Sequence, residues 1–188
     1  TVPEPLISLE PQALSGAQLA RVSIRFDSPS PVSGTGRLTV GFTPDVPGSP
    51  DDSAILFPAT GGRSVSFTVA AGESTARFQG NTAAEVQVGT TAGALVFTAA
   101  LGSYTRSFTA AIPAGYVVVD SASATRVAAG IQIVATGYDT SRSTSTLSFT
   151  FYDATGDTIA PGLIQVNAAR AFQDYYAATD LGSVFKLA

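Results

Sequence analysis

The chain contains no cysteine, no histidine, no methionine and no tryptophan. Each absence removes some chemistry. Without Cys no disulfide can form, so stability must come from packed sheet alone, and there is no thiolate nucleophile. Without His there is no Ser-His-Asp triad and no imidazole for zinc. A Ser–Lys pair would have to use Lys186, the single lysine, near the end of the chain. Without Trp the best platform for stacking a sugar ring is gone. A chain with no Met also reads as a processed or excised piece of something longer.

Charge is sparse as well. Charged residues make up 13% of the 188 positions, about half of the ~25% usual in a globular domain. The net charge is −4, and the ten basic residues are scattered along the chain. No basic stripe could neutralise phosphates, which excludes nucleic acid as a partner. The same lack argues against docking on anionic lipid. No run approaches ~18 consecutive apolar residues, so no membrane insertion is expected, and no signal peptide remains; any such signal would lie in the missing parts. Hydrophobic residues still reach 45%, too many for a disordered chain.

The dominant period is two, the signature of strands with one buried and one wet face. Val22, Ile24 and Phe26 share a face, with Ser23, Arg25 and Asp27 opposite. The alternation recurs at Leu38-Val40-Phe42, Val65-Phe67-Val69, Ala76-Phe78, Leu95-Phe97-Ala99-Leu101 and Phe108-Ala110-Ile112. Gly- and Pro-rich turns separate these runs, and Leu6 to Glu10 supplies a first strand. Short strands at this spacing predict a sandwich rather than βαβ units.

Pro113-Ala114-Gly115 is the expected boundary, and the pattern restarts at Tyr116-Val117-Val118-Val119. Further rows follow at Ile131-Ile133-Ala135, Leu147-Phe149-Phe151 and Leu163 to Asn167. Leu38 to Thr43 and Leu147 to Tyr152 are the same kind of strand, each after a Ser/Thr-rich connection. One segment breaks the period: Ala168 to Ala178 predicts a helix capped by Asn167 and ended by Gly182. The fold expected is all-β, two immunoglobulin-like sandwich domains in tandem with one short helix in the second. The first spans 1–113. The second, smaller one spans 114–188, its last strand, Ser183 to Ala188, cut short. The apolar run Tyr116 to Val119 is the expected place for packing shared between them.

The first domain resembles a family of bacterial Ig-like modules found in tandem in long secreted or surface proteins. The likeness rests on Asp51 to Phe57 before Gly61-Gly62-Arg63, on Ala71 to Phe78, and on Val86 to Gly93, and it covers most of residues 5 to 112. The second domain resembles the C-terminal partner of such modules through Thr136 to Ser143. The resemblance implies a secreted or cell-surface location and neighbouring Ig-like domains in the same chain. It carries no catalytic residues.

Carboxylate-pair hydrolysis needs only two acids, and the chain has 14 Asp and Glu residues. Asp45, Asp51, Asp52, Glu73, Asp153 and Asp157 read as turn formers or outward charges. Calcium is the one metal with suitable ligands, at Asp51-Asp52 or at Asp153 with Asp157, but neither makes the D-x-[DN]-x-[DN]-G loop. Turn formation accounts for both, so no metal or cofactor is expected. Phe172, Tyr175 and Tyr176 could offer a sugar platform, but a helix over a sheet must bury one stripe. Arg37, Arg63 and Arg77 read as outward cations that discourage edge pairing.

The chain therefore reads as a non-catalytic structural or adhesive module of a long extracellular bacterial protein. An accessory carbohydrate- or protein-binding module of a secreted enzyme is the alternative. No catalytic, cofactor-binding or metal residue is singled out. An extracellular protein or glycan is the kind of partner expected.

Overall fold

A computed structural model describes residues 1–115 and 117–188. It is all-β, with one short helix. Seven strands build the first half: β1 (Pro5–Glu10), β2 (Leu19–Phe26), β3 (Gly34–Pro44), β4 (Ser64–Val69), β5 (Ala84–Gln87), β6 (Gly93–Leu101) and β7 (Tyr104–Ile112). They form two antiparallel sheets, ordered β1-β2-β5 and β4-β3-β6-β7. The fourth strand pairs with the third, giving a three-plus-four sandwich of immunoglobulin-like type.

The period-two residues explain the core. Val22, Ile24 and Phe26 of one sheet, and Leu38, Val40, Val65, Phe67, Leu95 and Phe97 of the other, are all buried. Twenty-four buried hydrophobic residues form one cluster, and all belong to this half. A fully buried side chain of this size contributes about 1.5–3 kcal/mol, which is why a sandwich without disulfides can stand. Ala76 and Phe78 are buried as their spacing predicts, but they sit in a chain crossing with only isolated bridges.

The second half contains β8 (Val118–Val127), β9 (Gly130–Tyr138), β10 (Thr146–Phe149), β11 (Ile164–Asn167), α1 (Ala169–Ala177) and β12 (Val184–Leu187). Its sheets are ordered β8-β9-β12 and β10-β11. The first order repeats β1-β2-β5 and the second repeats β3-β4. What the first half has and the second lacks, among the described residues, is a pair of strands in the places of β6 and β7.

Packing follows that difference. The second cluster holds four buried residues: Ala168, Phe172, Tyr176 and Phe185. All ten residues of β8 are exposed. Ile131 is 55% exposed, where the alternation had pointed it inward. Leu147, Phe149 and Phe151 are only half-buried.

The structure departs from the sequence expectations at three places. Val117, Val118 and Val119 are exposed and provide no shared packing; Tyr116 lies outside the described residues. An apolar run buries only where an opposing surface exists, and the joint forms elsewhere. The helix cap is Ala168, with Asn167 one residue earlier accepting the Ala169 N–H at 3.1 Å. Gly182 does not end the helix, which stops at Ala177. It has φ +71° and serves the joint described next.

Candidate functional site

Seven polar residues are buried among those described: Ser30, Asp52, Thr90, Thr91, Asp139, Thr140 and Ser183. All but Ser30 meet at one place, the seam between the two halves. A buried polar group is costly unless it is hydrogen-bonded, so six such residues in one place form a built site.

Asp52 anchors the side of the first half. It follows Pro50-Asp51 in a loop, and Asp51 Oδ1 accepts its N–H at 2.8 Å. The Asp52 carboxylate accepts N–H bonds from Ala54 (3.1 Å), Thr90 (2.7 Å) and Thr91 (3.0 Å). Arg63 donates to Asp51 Oδ1 at 2.8 Å and to the Asp52 carbonyl at 2.6 Å. Two glycines leave room for the carboxylate. A Cβ on Gly89 would strike it, and one on Gly182 would sit 2.6 Å from both of its oxygens.

Asp139 is its counterpart in the second half. Its carboxylate accepts N–H bonds from Ser141 (3.0 Å), Ser143 (2.7 Å) and Thr144 (2.7 Å). It also accepts the hydroxyls of Ser141 (2.9 Å) and Thr144 (2.6 Å). Burial pushes the acid's pKa up, but the bonds from Thr144 and Ser141 outweigh it, and the net value lies below the ordinary one. The Ser/Thr-rich segment after Asp139 is what supplies these donors, a local pattern that competes with regular structure.

Ser183 joins the two sides. Its N–H donates to Thr90 Oγ1 at 2.8 Å, and its hydroxyl lies 2.9 Å from Thr91 Oγ1. Its carbonyl accepts the Asp139 N–H at 3.0 Å and the Tyr176 hydroxyl at 3.3 Å. Arg142, at φ +52°, reaches in from its loop. It donates to Ser183 Oγ at 3.1 Å and the Gly182 carbonyl at 2.7 Å, with its guanidinium 5.1 Å from the Tyr176 ring centre. Burial lowers the Arg142 pKa, while Tyr176 and Asp52 support its charge. The Ala92 N–H donates to the Thr140 carbonyl at 2.8 Å. The Tyr138 hydroxyl donates to the Gly16 carbonyl at 3.2 Å, and Ser53 Oγ to the Asp180 carbonyl at 3.1 Å. An isolated bridge pairs Asp52 with Leu181.

Each carboxylate is engaged by donors of its own half, and the bonds that cross the seam run through Thr90, Thr91, Thr140 and Ser183. Asp52, read from sequence as an outward turn residue, is fully buried. Asp51 stays exposed and pairs with Arg63. Asp153 accepts bonds from the Thr155 N–H, the Thr155 hydroxyl and the Asp157 N–H, all within its own turn. Phe172 and Tyr176 are buried, and Tyr175 is half-buried, so the rings line the helix's inner face. Arg37 and Arg77 are exposed, Arg77 within 3.7 Å of Glu73.

Sequence reasoning missed Thr90, Thr91, Arg142 and Ser183 as a set. Asp139 carried the one usable signal: an Asp followed by Ser or Thr at the second, fourth and fifth positions, a pattern that suits a carboxylate collecting backbone N–H groups.

No family model matches the chain, and no curated protein matches its sequence. Among solved structures, the chain is similar to a class 5 fimbriae chaperone, CfaA, at 12% identity. That match covers 86% of this chain and 79% of the other, with a TM-score of 0.33. It is also similar to a chain from a chaperone–tip adhesin complex of CFA/I fimbriae biogenesis, again at 12% identity, covering 86% and 82%, with a TM-score of 0.35. No helix of the described residues is long and apolar enough to cross a membrane.

Proposed function

We propose that this chain is a non-catalytic structural or adhesive Ig-like module of a long extracellular bacterial protein. It would carry two domains, 1–113 and 114–188, set at a fixed angle. The observation that supports this reading is the use made of buried polarity. Six of the seven buried polar residues lie at the joint; Thr90, Thr91, Thr140 and Ser183 carry hydrogen bonds across it, and both buried carboxylates accept N–H bonds from their own half. Such a joint suits a chain whose task is to hold a shape and present its surface.

The alternative, an accessory binding module, has one feature in its favour. A depression of about 530 Å³ on the first sandwich is lined by Arg21, Gln79, Asn81, Thr82 and Glu85, side chains able to hydrogen-bond a sugar. A glycan array decides between the two. Silence across the array supports the structural reading. Binding that is lost on Arg21→Ala supports the accessory module. Turnover of glycoside or ester substrates, abolished by removing a particular carboxylate pair, would overturn both.

A further inference from the structure

The depression beside Arg21 is one end of a longer furrow. A second depression, of about 510 Å³, adjoins it and shares Arg21, Thr82 and Ala83 with it. This second end runs over the outer face of β1 and β2 to Gln12, Arg25 and Thr75. Every lining residue belongs to the first half. Two guanidiniums, Arg21 and Arg25, line the furrow together with two carboxylates, Glu10 and Glu85. Strand register sets Arg21 between Glu10 of β1 and Glu85 of β5. The Arg21–Glu85 pair is loose, at 3.9 Å with both side chains more than half exposed. That separation exceeds hydrogen-bond length, so both groups keep their bonding capacity for a guest. Arg25 joins none of the ion pairs among the described residues.

One wall is a rigid turn. Gln79 and Gly80 occupy it at φ +50° and +92°. The Phe78 N–H donates to the Asn81 carbonyl at 2.7 Å, and the Asn81 N–H to the Phe78 carbonyl at 2.9 Å, which closes it. Phe78 anchors the turn from below, buried and with its ring centre 5.7 Å from that of Phe67. A two-residue turn of this kind favours Asn or Gly at its first position. Gln79 holds the left-handed conformation there at a cost, and its side chain lines the furrow. Because Phe78 lies beneath the turn, no ring is presented for stacking, and a guest must be held through its polar edges.

We propose that this furrow binds a neutral oligosaccharide along its length, one sugar between Gln79 and Arg21 and the next between Arg21 and Arg25. Two guanidiniums and two carboxylates give the walls no net charge, so neither an anionic nor a cationic guest is selected. A hydroxyl suits such walls because it accepts from a guanidinium while donating to a carboxylate. Adjacent hydroxyls on one ring can engage both members of the Arg21–Glu85 pair. The inference rests on the accessory-module reading and names the class and length of its ligand.

The test titrates the full 188-residue chain with gluco-, manno-, galacto- and xylo-oligosaccharides of increasing length. Oligogalacturonates and chitosan oligomers serve as charged counterparts, and calorimetry reads the affinities. The expected result is binding by at least one neutral series, tightening about tenfold or more from the single sugar to the trimer as further hydrogen bonds are gained. Arg25→Ala should remove the gain with length and leave the single sugar's affinity unchanged. Gln79→Gly keeps the turn, because glycine takes φ +50° freely. It should weaken binding about tenfold while the melting temperature stays level or rises, an outcome that a purely structural Gln79 would not give. The proposal is overturned if the charged oligomers bind more tightly than the neutral ones, or if Arg25→Ala and Gln79→Gly leave neutral binding intact. Both of those outcomes spare the accessory-module reading. Silence from every neutral and charged sugar overturns the two together.

Discussion

The two halves of this molecule follow the same strand plan to very different degrees of completion. Strands β1-β2-β5 and β8-β9-β12 have the same order, and β3-β4 matches β10-β11. The first set belongs to a sandwich whose core cluster holds twenty-four buried hydrophobic residues, the second to one whose cluster holds four. Strand pairing alone therefore does not make a core. Burial needs an opposing layer, and β6 and β7 supply much of that layer in the first half only. The short second half leans on the seam instead, where the Ser183 N–H donates to Thr90 and the Thr140 carbonyl accepts the Ala92 N–H.

The comparison can be broken most severely from inside the first core. Phe97→Ala should cost about 3–5 kcal/mol, as aromatic truncations in packed cores do. Because the second half rests on the first, both should melt earlier in calorimetry. A second half whose midpoint stayed put would show that it stands alone.

A cut at the seam should separate the halves. Asp52→Ala strands the N–H groups of Ala54, Thr90 and Thr91, at roughly 1–3 kcal/mol for each buried donor left unpaired. We expect a single transition to split into two, with exchange in β9 and β12 rising ahead of exchange in β3 and β6. Asp139 offers a gentler version through pH. Its folded pKa lies below its ordinary value, so its ionised form adds stability at all pH above about 4. That stability fades as pH falls from there through the folded value. Melting curves taken from pH 6 down to pH 3 should show the second half weakening first, and Asp139→Asn should flatten that dependence.

Two smaller changes sharpen the contrast. Ser183→Ala removes the hydroxyl shared with Thr91 and Arg142 and should lower stability by about 1 kcal/mol. Val127→Thr on β8 should change it by less than about 0.5 kcal/mol, because that residue is already 42% exposed. Thermal unfolding of both variants checks the order. A larger effect from Val127 would mean β8 is covered in solution.

Much of the first half was legible in its residues. The rows at Val22-Ile24-Phe26, Val65-Phe67-Val69 and Leu95-Phe97-Ala99-Leu101 are buried where alternation placed them. A period of two reports which residues share a face, and in a completed sandwich one face is the inside. The same reasoning misled at Ile131 and at Val117 to Val119, where no second layer meets the strand. The seam was harder still. Asp52 looks like any turn acid, and its burial depends on Gly89, Thr90, Thr91 and Gly182, which lie 37 to 130 positions further along the chain.

The sequence by itself determined the period-two strands, a helix near Ala168 to Ala178 with its rings on one face, and the absence of thiol and imidazole chemistry. These depend on residue type and local spacing, which short-range sterics and side-chain identity settle. Only the tertiary structure decided which faces have a partner layer, that Asp52 and Asp139 are interior groups, and that Ser183 ties one half to the other. Those outcomes depend on contacts between residues far apart in the chain, and the free energy of burying a polar group is set by the donors that converge on it in space.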